Sequence, residues 1–321
     1  MFAIEVKNLT KQYKNGVKAL DDLNLTVKKG EIFSLLGPNG AGKSSLINIL
    51  TTFYNSTYGT VNILGKNLSE NPHFVRNQIA CVAQQVSIDE HLSLMENMLF
   101  QSRLYKVDSK KAEERIKKLI DIFDLSNYLK YPVSSYSGGV KRRLDIAINL
   151  VSLPKILFLD EPTVGMDVES RATMWKMLLK IRDELGTTIF LTTHYLEEAD
   201  FLSDTICIMK KGQILAQGSR YELENYINQN IIRILFPSTE EAKKYINTFD
   251  TMFKAKITTL KNKSLFISLT NNISSSFIEI NKLLLNNCVN FIGIEIMKPS
   301  LEDIFLIITN SNKYKMEGEK C

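Results

Sequence analysis

Short apolar runs alternate with stretches of helical spacing along the first two thirds of the chain. The runs at 31–36, 156–159 and 188–192 suit strands that are buried on both faces of a parallel sheet. The residues SSLINIL at 44–50 follow the first run and place apolar side chains on one face of a helix. This alternation predicts an α/β fold.

A helix-rich segment interrupts the alternation between about residues 87 and 131. The sequences MENMLFQSRLY and KKAEERIKKLIDIF carry apolar residues at helical spacing. Further along, RATMWKMLLKIRDEL has the same spacing, so we expect Trp175 to lie in a helix and to contribute to the core rather than to a site.

The chain changes character beyond about residue 225, where asparagine, isoleucine and serine become frequent. The pattern predicts a strand at 231–236, a helix at 239–249, strands at 253–259 and 263–269, a helix at 275–286, a strand at 291–297 and a helix at 300–309. This βαββαβ order with a final helix indicates a small ferredoxin-like α+β sandwich, which specifies no function by itself. We therefore expect an accessory domain over 225–321.

The first candidate for chemistry is GPNGAGKSS, which matches the GxxxxGK[ST] pattern of nucleotide-binding loops. Its glycines let successive N–H groups point at phosphate oxygens, and the start of the following helix adds partial positive charge. We expect Lys43 to reach the outer phosphates and the Ser44 hydroxyl to be a ligand of Mg²⁺. A glycine-rich turn with a surface lysine is the alternative. The predicted nucleotide-binding residues of this loop are Gly37, Pro38, Asn39, Gly40, Ala41, Gly42, Lys43, Ser44 and Ser45.

The second candidate is the pair of acids that ends the apolar run ILFLDEP. Ligands of open α/β sheets bind at the carboxyl ends of the strands. We therefore expect Asp160 to hold Mg²⁺ and Glu161 to orient or deprotonate the water that attacks the γ-phosphate. A solvated acidic turn is the alternative for such a pair.

The segment YSGGVKRRLDIA at 136–147 resembles the signature of ABC-type ATPases. The resemblance implies that Ser137, Gly138 and Gly139 contact the γ-phosphate held by a second subunit, so that ATP lies between two chains. A serine-capped helix start suits an anion, and we expect the basic residues at 141–143 to raise the positive potential there.

The signature departs from the common LSGGQ form at two positions. Tyr136 stands in the first position and Val140 in the last, so no glutamine side chain is available for a contact. By itself, SGG followed by basic residues is typical of an ordinary capped helix.

Other elements of the same family follow in the expected order. By resemblance, Tyr13 stacks on adenine, Gln84 senses Mg²⁺ and the membrane partner, Asp167 meets the opposite subunit and His194 contacts the γ-phosphate. Packing of Tyr13 on the first sheet and a structural role for His194 are the alternatives, and a second glutamine beside Gln84 leaves the register open.

As a set, these motifs resemble the P-loop NTPase fold of ABC type over residues 1–220, with a helical subdomain over about 87–150. The resemblance implies an ATP hydrolase with catalytic roles for Glu161, His194, Lys43 and Gln84, and Gln84 is also an expected Mg²⁺ ligand.

Composition limits the class of protein. The 321 residues are 44% hydrophobic, which suits more than one soluble domain. No apolar run is long enough to cross a bilayer, and no leader is evident, so we expect a cytoplasmic chain. The cysteines at 81, 207, 288 and 321 lack metal-site spacing and predict reduced thiols. The net charge of +5 is modest, so no nucleic-acid partner is expected.

The closing residues PSLEDIFLIIT resemble the tail of export ATPases of the daunorubicin-resistance type. The resemblance implies a subunit that forms a homodimer, or pairs with a similar subunit, on the inner face of the cell membrane. It would energise export of a drug, antibiotic peptide or lipid through a separate polytopic permease, which we expect to contact residues 87–97. The substrate, the permease and the role of residues 225–321 are not determined by the sequence.

Two other functions stay open at this point. One is a soluble ABC-type ATPase that acts on ribosomes or nucleic acid, which steeply salt-dependent RNA binding would favour. Such relatives usually carry two cassettes or a long coiled-coil insertion, and neither is seen here. The other is a nucleotide-binding regulator without turnover, which ATPase activity lost in Lys43→Ala would exclude.

Overall fold

The computed structural model describes residues 1–227, 230–253, 257–269 and 273–310. It consists of two compact units, which meet in the chain between Ser219 and Arg220. Residues 254–256 of one predicted strand, and Cys321, lie outside the described residues.

A six-stranded sheet forms the centre of the first unit. Its strands are β3 (Ile32–Leu36), β6 (Ile79–Val82), β7 (Ile156–Asp160), β8 (Thr188–Thr193), β9 (Thr205–Lys210) and β10 (Gln213–Gly218). The spatial order is β10-β9-β3-β8-β7-β6, and every neighbouring pair except β10 with β9 is parallel. All residues of β3 and β8 are buried, as the apolar runs predict for strands covered on both faces. The strand order places the carboxyl ends of β3, β8 and β7 side by side.

A second, antiparallel sheet was not anticipated from the sequence pattern. It comprises β1 (Phe2–Gln12), β2 (Lys18–Lys28), β4 (Tyr58–Ile63) and β5 (Lys66–Asn67), in the order β2-β1-β4-β5. It shares a core with the central sheet and with the helix α1 (Lys43–Leu50), where Leu9, Leu20, Phe33, Leu46 and Phe190 are fully buried. A short helix α2 (Pro72–Arg76) follows β5.

Helices form the remainder of the first unit: α3 (Leu94–Leu104), α4 (Ser109–Ile122), α5 (Gly138–Leu150), α6 (Val168–Leu185) and α7 (Leu196–Leu202). The helix α3 begins with a capping box in which the Ser93 hydroxyl accepts from the N–H of Glu96 and the Glu96 carboxylate accepts from the N–H of Ser93. Trp175, which lies in α6, packs against the hydrophobic core, and its Nε1 donates to Glu198. Both contacts agree with its predicted structural role.

The second unit contains the predicted βαββαβ arrangement. Its strands β11 (Asn230–Leu235), β12 (Ile257–Lys261), β13 (Ser264–Leu269) and β14 (Gly293–Met297) are antiparallel in the order β12-β13-β11-β14, which is the ferredoxin-like topology. Its helices are α8 (Arg220–Ile227), α9 (Thr239–Lys244), α10 (Ile246–Phe253), α11 (Ile273–Asn286) and α12 (Leu301–Asn310).

The helix predicted at 239–249 is two helices, because the chain leaves helical geometry at Tyr245. The Tyr245 ring stacks on Phe236 with the centroids 5.8 Å apart, which ties this residue to the sheet. Phe253, predicted to begin a strand, instead ends α10.

No helix among the described residues is long and apolar enough to cross a membrane. Cys81, Cys207 and Cys288 are free thiols.

Candidate active site

A cavity of about 700 Å³ opens at the carboxyl ends of the central strands. It brings together residues that are far apart in the sequence: the tip of the β1–β2 turn, the loop after β3, the end of β7 and Gln84. Among the predicted site residues, those that line it are Tyr13, Asn39, Gly40, Ala41, Gly42, Lys43, Ser44, Ser45, Gln84, Asp160 and Glu161. The sequence analysis did not anticipate Lys18 and Lys211, which add two cations to the lining.

The loop before α1 leaves the start of that helix without a side-chain cap. Gly42 occupies the cap position with φ of 108°, and no side chain bonds to the helix start there. A Cβ at this residue would lie 2.5 Å from the carbonyl oxygen of Ala19, so only glycine fits. The uncapped amides and the helix dipole make this point suited to a phosphate.

The ammonium of Lys43 is buried beneath the loop. Its Nζ donates to the carbonyl of Gly37 at 2.8 Å and to that of Pro38 at 3.4 Å. The same Nζ lies 3.4 Å from Oε1 of Glu161. Gly37 and Pro38 therefore contact the lysine, whereas they do not line the cavity as predicted nucleotide contacts would.

Glu161 connects three parts of the site. Its Oε1 lies 3.3 Å from Nδ1 of His194 in addition to its contact with Lys43. Its backbone has φ of 47°, a conformation that costs a non-glycine residue about 1 kcal/mol. The N–H of Glu161 donates to Thr192, at 3.2 Å from the carbonyl and 3.1 Å from Oγ1. These hydrogen bonds fix the backbone of Glu161 directly after the carboxyl end of β7.

Thr192 is a functional candidate that the motif analysis missed. It lies opposite Asp160 in the β7–β8 pairing, and its Oγ1 donates to Oδ1 of Asp160 at 2.5 Å. The residue is fully buried. The sequence signal for Thr192 is weak, because β8 contains three threonines and ends in two of them.

Tyr13 and Gln84 both belong to the lining. The Tyr13 hydroxyl lies 3.0 Å from Oγ of Ser45, and its ring meets the edge of Tyr54 with the centroids 6.1 Å apart. Tyr13 thus lines the cavity and contacts neighbouring side chains outside the first sheet, and its stacking on adenine stays a prediction. Gln84 lines the cavity with an exposed side chain, whereas the adjacent Gln85 is not among the lining residues.

The structure does not bring the signature serine and glycines into this cavity. Ser137 caps α5 by accepting from the N–H of Val140, and Ser137 and Gly138 are exposed. Gly139 likewise does not line the cavity. Asp167 caps α6 by accepting from Ser170, and these hydrogen bonds lower the pKa of Asp167.

The basic residues after the signature were expected to raise the positive potential at the start of α5. Instead, Lys141 pairs with Glu90 at 2.6 Å, and Arg143 donates to the carbonyl of Phe123 at 3.1 Å. Arg142 is buried. Each of the three basic side chains therefore binds a group of another segment of the chain.

The departures from the common signature are core positions. Tyr136 is buried, and its hydroxyl donates to the carbonyl of Tyr128 at 2.6 Å. Val140 is 4% exposed. These side chains stabilise the start of α5 rather than face a ligand.

Oxygen donors suited to Mg²⁺ converge on the cavity. In the described part of the chain, no three His, Cys, Asp or Glu side chains lie close enough to form a metal site by themselves. The Ser44 hydroxyl, the Gln84 amide and the Asp160 carboxylate nevertheless line one space. Mg²⁺ usually takes one or two carboxylates and completes its shell with water and phosphate oxygens, so these residues fit it.

A family model and the relatives of this chain both indicate an ATP-binding protein of the ABC transporter family. The model of the ABC transporter family matches residues 20–164. The chain is 41% identical over 232 residues to the daunorubicin/doxorubicin resistance ATP-binding protein of Streptomyces peucetius, covering 72% of this chain and 70% of that protein. A daunorubicin resistance ATP-binding protein of Streptomyces coeruleorubidus is 30% identical over 320 residues, which is 100% of this chain and 99% of that protein.

A solved structure shares the fold of the first unit. It is the ATP-binding cassette MJ0796 in a dimeric post-hydrolysis state bound to ADP and Pi. The match has a TM-score of 0.60 and 28% identity, and it covers 67% of this chain and 98% of the solved chain.

Proposed function

This chain belongs to the ABC transporter family as an ATP-binding subunit that hydrolyses ATP, and we propose that it dimerises around ATP to energise export through a separate membrane permease. The observation that carries the proposal is the Glu161 carboxylate, which contacts both Lys43 and His194 at the mouth of the cavity. A carboxylate held beside the phosphate-binding lysine is suited to the hydrolytic water.

We assign the cavity residues as follows. Glu161 orients and deprotonates the attacking water, Lys43 binds the outer phosphates, and His194 contacts the γ-phosphate. Tyr13, which lines the same cavity, stacks on adenine. Mg²⁺, held by Ser44, Asp160 and Gln84, would neutralise charge on the phosphates when bound.

The exposed start of α5 supports a nucleotide shared between two copies. Ser137 and Gly138 face solvent, outside the chain's own cavity, so another subunit's nucleotide can reach them. At the start of α6, Val168 is 81% exposed and the capping residue Asp167 is also exposed. An exposed apolar side chain beside an acid suits an interface. We propose that Asp167 meets the second subunit; the similar solved cassette is itself dimeric.

The surface of α3 supports a permease contact. Within the segment expected to contact the permease, Leu94 and Asn97 are buried, whereas Met95 is exposed. Exposed apolar side chains continue along the helix at Phe100 and Leu104, where a second cavity of about 770 Å³ begins. We propose that the membrane partner contacts α3 from the inner face of the membrane.

The relatives support export and a domain division. The Streptomyces coeruleorubidus protein aligns with the whole chain and is described as a daunorubicin resistance ATP-binding protein. We propose that residues 1–220 form the ATP-binding domain and residues 225–321 an accessory domain, and that the exported compound is a drug, antibiotic peptide or lipid.

Glu161→Gln tests the catalytic assignment. The amide keeps the size of the side chain but cannot take a proton, so we expect ATP turnover to fall about a hundredfold or more. We expect the variant to form a dimer that depends on ATP, because binding is retained without hydrolysis. Turnover is measured by phosphate release and the dimer by light scattering. Full turnover in the variant would remove the assignment.

The permease is tested in the native cell. The tagged chain is recovered from gently solubilised membranes at moderate salt, and bound proteins are identified by mass spectrometry. A polytopic membrane protein in stoichiometric amount supports export. Ribosomal or DNA-bound proteins in its place would contradict it and support a nucleic-acid function.

A further inference from the structure

Arg142 is a buried arginine that contacts three backbone carbonyls in two separate segments of the chain. Its side chain is 5% exposed on the first turns of α5. Nε donates to the carbonyl of Pro162 at 3.0 Å, Nη1 to that of Ala83 at 2.5 Å, and Nη2 to that of Asp160 at 3.2 Å. Since a guanidinium holds its donors in a rigid planar fork, these contacts fix the three carbonyls relative to one another.

The three carbonyls belong to the immediate neighbours of the proposed catalytic residues. Two of them flank Glu161 on either side, and the third directly precedes Gln84. One side chain of α5 therefore sets the backbone that carries both residues. No motif predicted this role for Arg142, because the sequence shows only a basic residue after the signature.

Asp145 completes the connection within the same helix. It is fully buried, its Oδ2 lies 3.3 Å from Arg142 Nη1, and its Oδ1 accepts from the Ser87 hydroxyl at 2.8 Å. Burial raises the pKa of Asp145 and lowers the pKa of Arg142, and in each case the opposite charge acts against that shift. An exposed ion pair joins Lys141 to Glu90. The segment after Gln84 is therefore attached to α5 at two points, through Ser87 to Asp145 and through Glu90 to Lys141.

We propose that Arg142 is a positioning residue for ATP hydrolysis, which holds the backbone on both sides of Glu161 in register with α5. The proposed dimer contact, Ser137 to Gly139, begins the same helix. A shift of α5 on closure of the dimer is thereby transmitted to the residues on either side of Glu161. This inference rests on the roles proposed above for Glu161 and Gln84.

A purely structural ion pair is the competing interpretation. Removing one member of a buried pair leaves an uncompensated charge and destabilises the fold. Lysine separates the two interpretations, because it keeps a positive charge beside Asp145 but lacks the planar fork that reaches the three carbonyls.

The test is Arg142→Lys in the full chain, with kcat, KM for ATP and thermal unfolding measured together. We expect a folded protein whose kcat is about ten- to a hundredfold lower, since small misplacements of reacting groups have effects of this size. KM should change by less than about twofold, because Arg142 does not line the cavity. In the Glu161→Gln background, Arg142→Lys should change residual turnover little, because it acts through Glu161.

Arg115→Lys is the matched control. Arg115 also donates to a backbone carbonyl next to α5, that of Val151 at 3.0 Å, but at the opposite end of the helix. We expect its kcat to equal that of the wild type. If Arg142→Lys does not fold, Arg142→Gln combined with Asp145→Asn removes both charges together, and the same loss of kcat is expected.

Suppose that Glu161→Gln is inactive, as the proposed function requires. A normal kcat in a folded Arg142→Lys chain, or in the chain with Arg142→Gln and Asp145→Asn, then overturns this inference alone. An equal loss of turnover with and without Glu161→Gln also overturns it, because the effect would then bypass Glu161. Full turnover of Glu161→Gln alone contradicts the proposed function and overturns this inference with it.

Discussion

Hydrogen bonds to Thr192 on the neighbouring strand hold the two acids at the end of β7 in place. Glu161 has a left-handed backbone, and Asp160 ends a buried strand, so neither is positioned by regular pairing alone. Thr192 contacts both, through its hydroxyl to Asp160 and through its oxygens to the N–H of Glu161. The acidic end of the apolar run ILFLDEP predicted the two acids, but the threonine becomes visible only when β7 and β8 lie side by side.

Thr192→Val tests this role. Valine has nearly the same shape, but it removes the donor to Asp160 and one acceptor for Glu161. We expect kcat to fall about tenfold or more, since misplacement of a reacting group is costly. Steady-state ATPase measurement checks this. Thr187→Val is the control, because Thr187 is also buried but bonds the carbonyl of Pro154, outside the cavity lining. Equal losses in both variants would contradict a specific role.

Close approaches between elements explain why particular glycines occur in the antiparallel sheet. Gly59 lies in β4 with φ of 88°, opposite an irregularity in the pairing of β1. A Cβ there would collide with the backbone carbonyl of Asn8. This sheet was not predicted, although β2 alternates buried and exposed residues from Leu23 to Lys28. The pairing of β1 with β4 joins residues as far apart in the sequence as Ile4 and Ile63, which no local pattern encodes.

Gly59→Ala should destabilise the first unit by about 2–4 kcal/mol, because the methyl group collides with backbone and the φ angle is unfavourable. Gly65→Ala is the control, since Gly65 has φ of 78° with open space around its Cα. It should cost only about 1 kcal/mol. Urea unfolding followed by circular dichroism measures both. Similar losses would mean that the collision with Asn8 is relieved by movement of the strand.

The whole molecule is proposed to work as a pair of chains, with each nucleotide between a cavity and the start of another chain's α5. The position of Ser137 and Gly138 outside their own cavity is the basis for this. A Cβ at Gly138 would meet nothing within 4 Å, so a side chain there alters the surface but not the packing.

Gly138→Asp should prevent the ATP-dependent dimer, because its carboxylate would repel the γ-phosphate of the second subunit. In the single chain, stability and ATP affinity should be unchanged, and an acid in the first turn suits the helix dipole. Gly138→Asn, with nearly the same size and no charge, is the control and should dimerise better. Light scattering with ATP measures both variants in the Glu161→Gln background. A dimer of normal strength in Gly138→Asp would contradict the proposed arrangement.

The sequence alone determined the local features: the nucleotide loop, the acidic end of β7, the histidine after β8, the helix-rich segment and the order of elements in the second unit. These follow from glycine geometry, apolar periodicity and turn chemistry, which act over a few neighbouring residues. Tertiary structure decided the rest. Strand order brought Thr192 to Asp160, and burial turned Arg142 from an expected surface charge into a contact with three carbonyls. Such contacts join residues distant in sequence, and no local pattern encodes which groups will share one buried space.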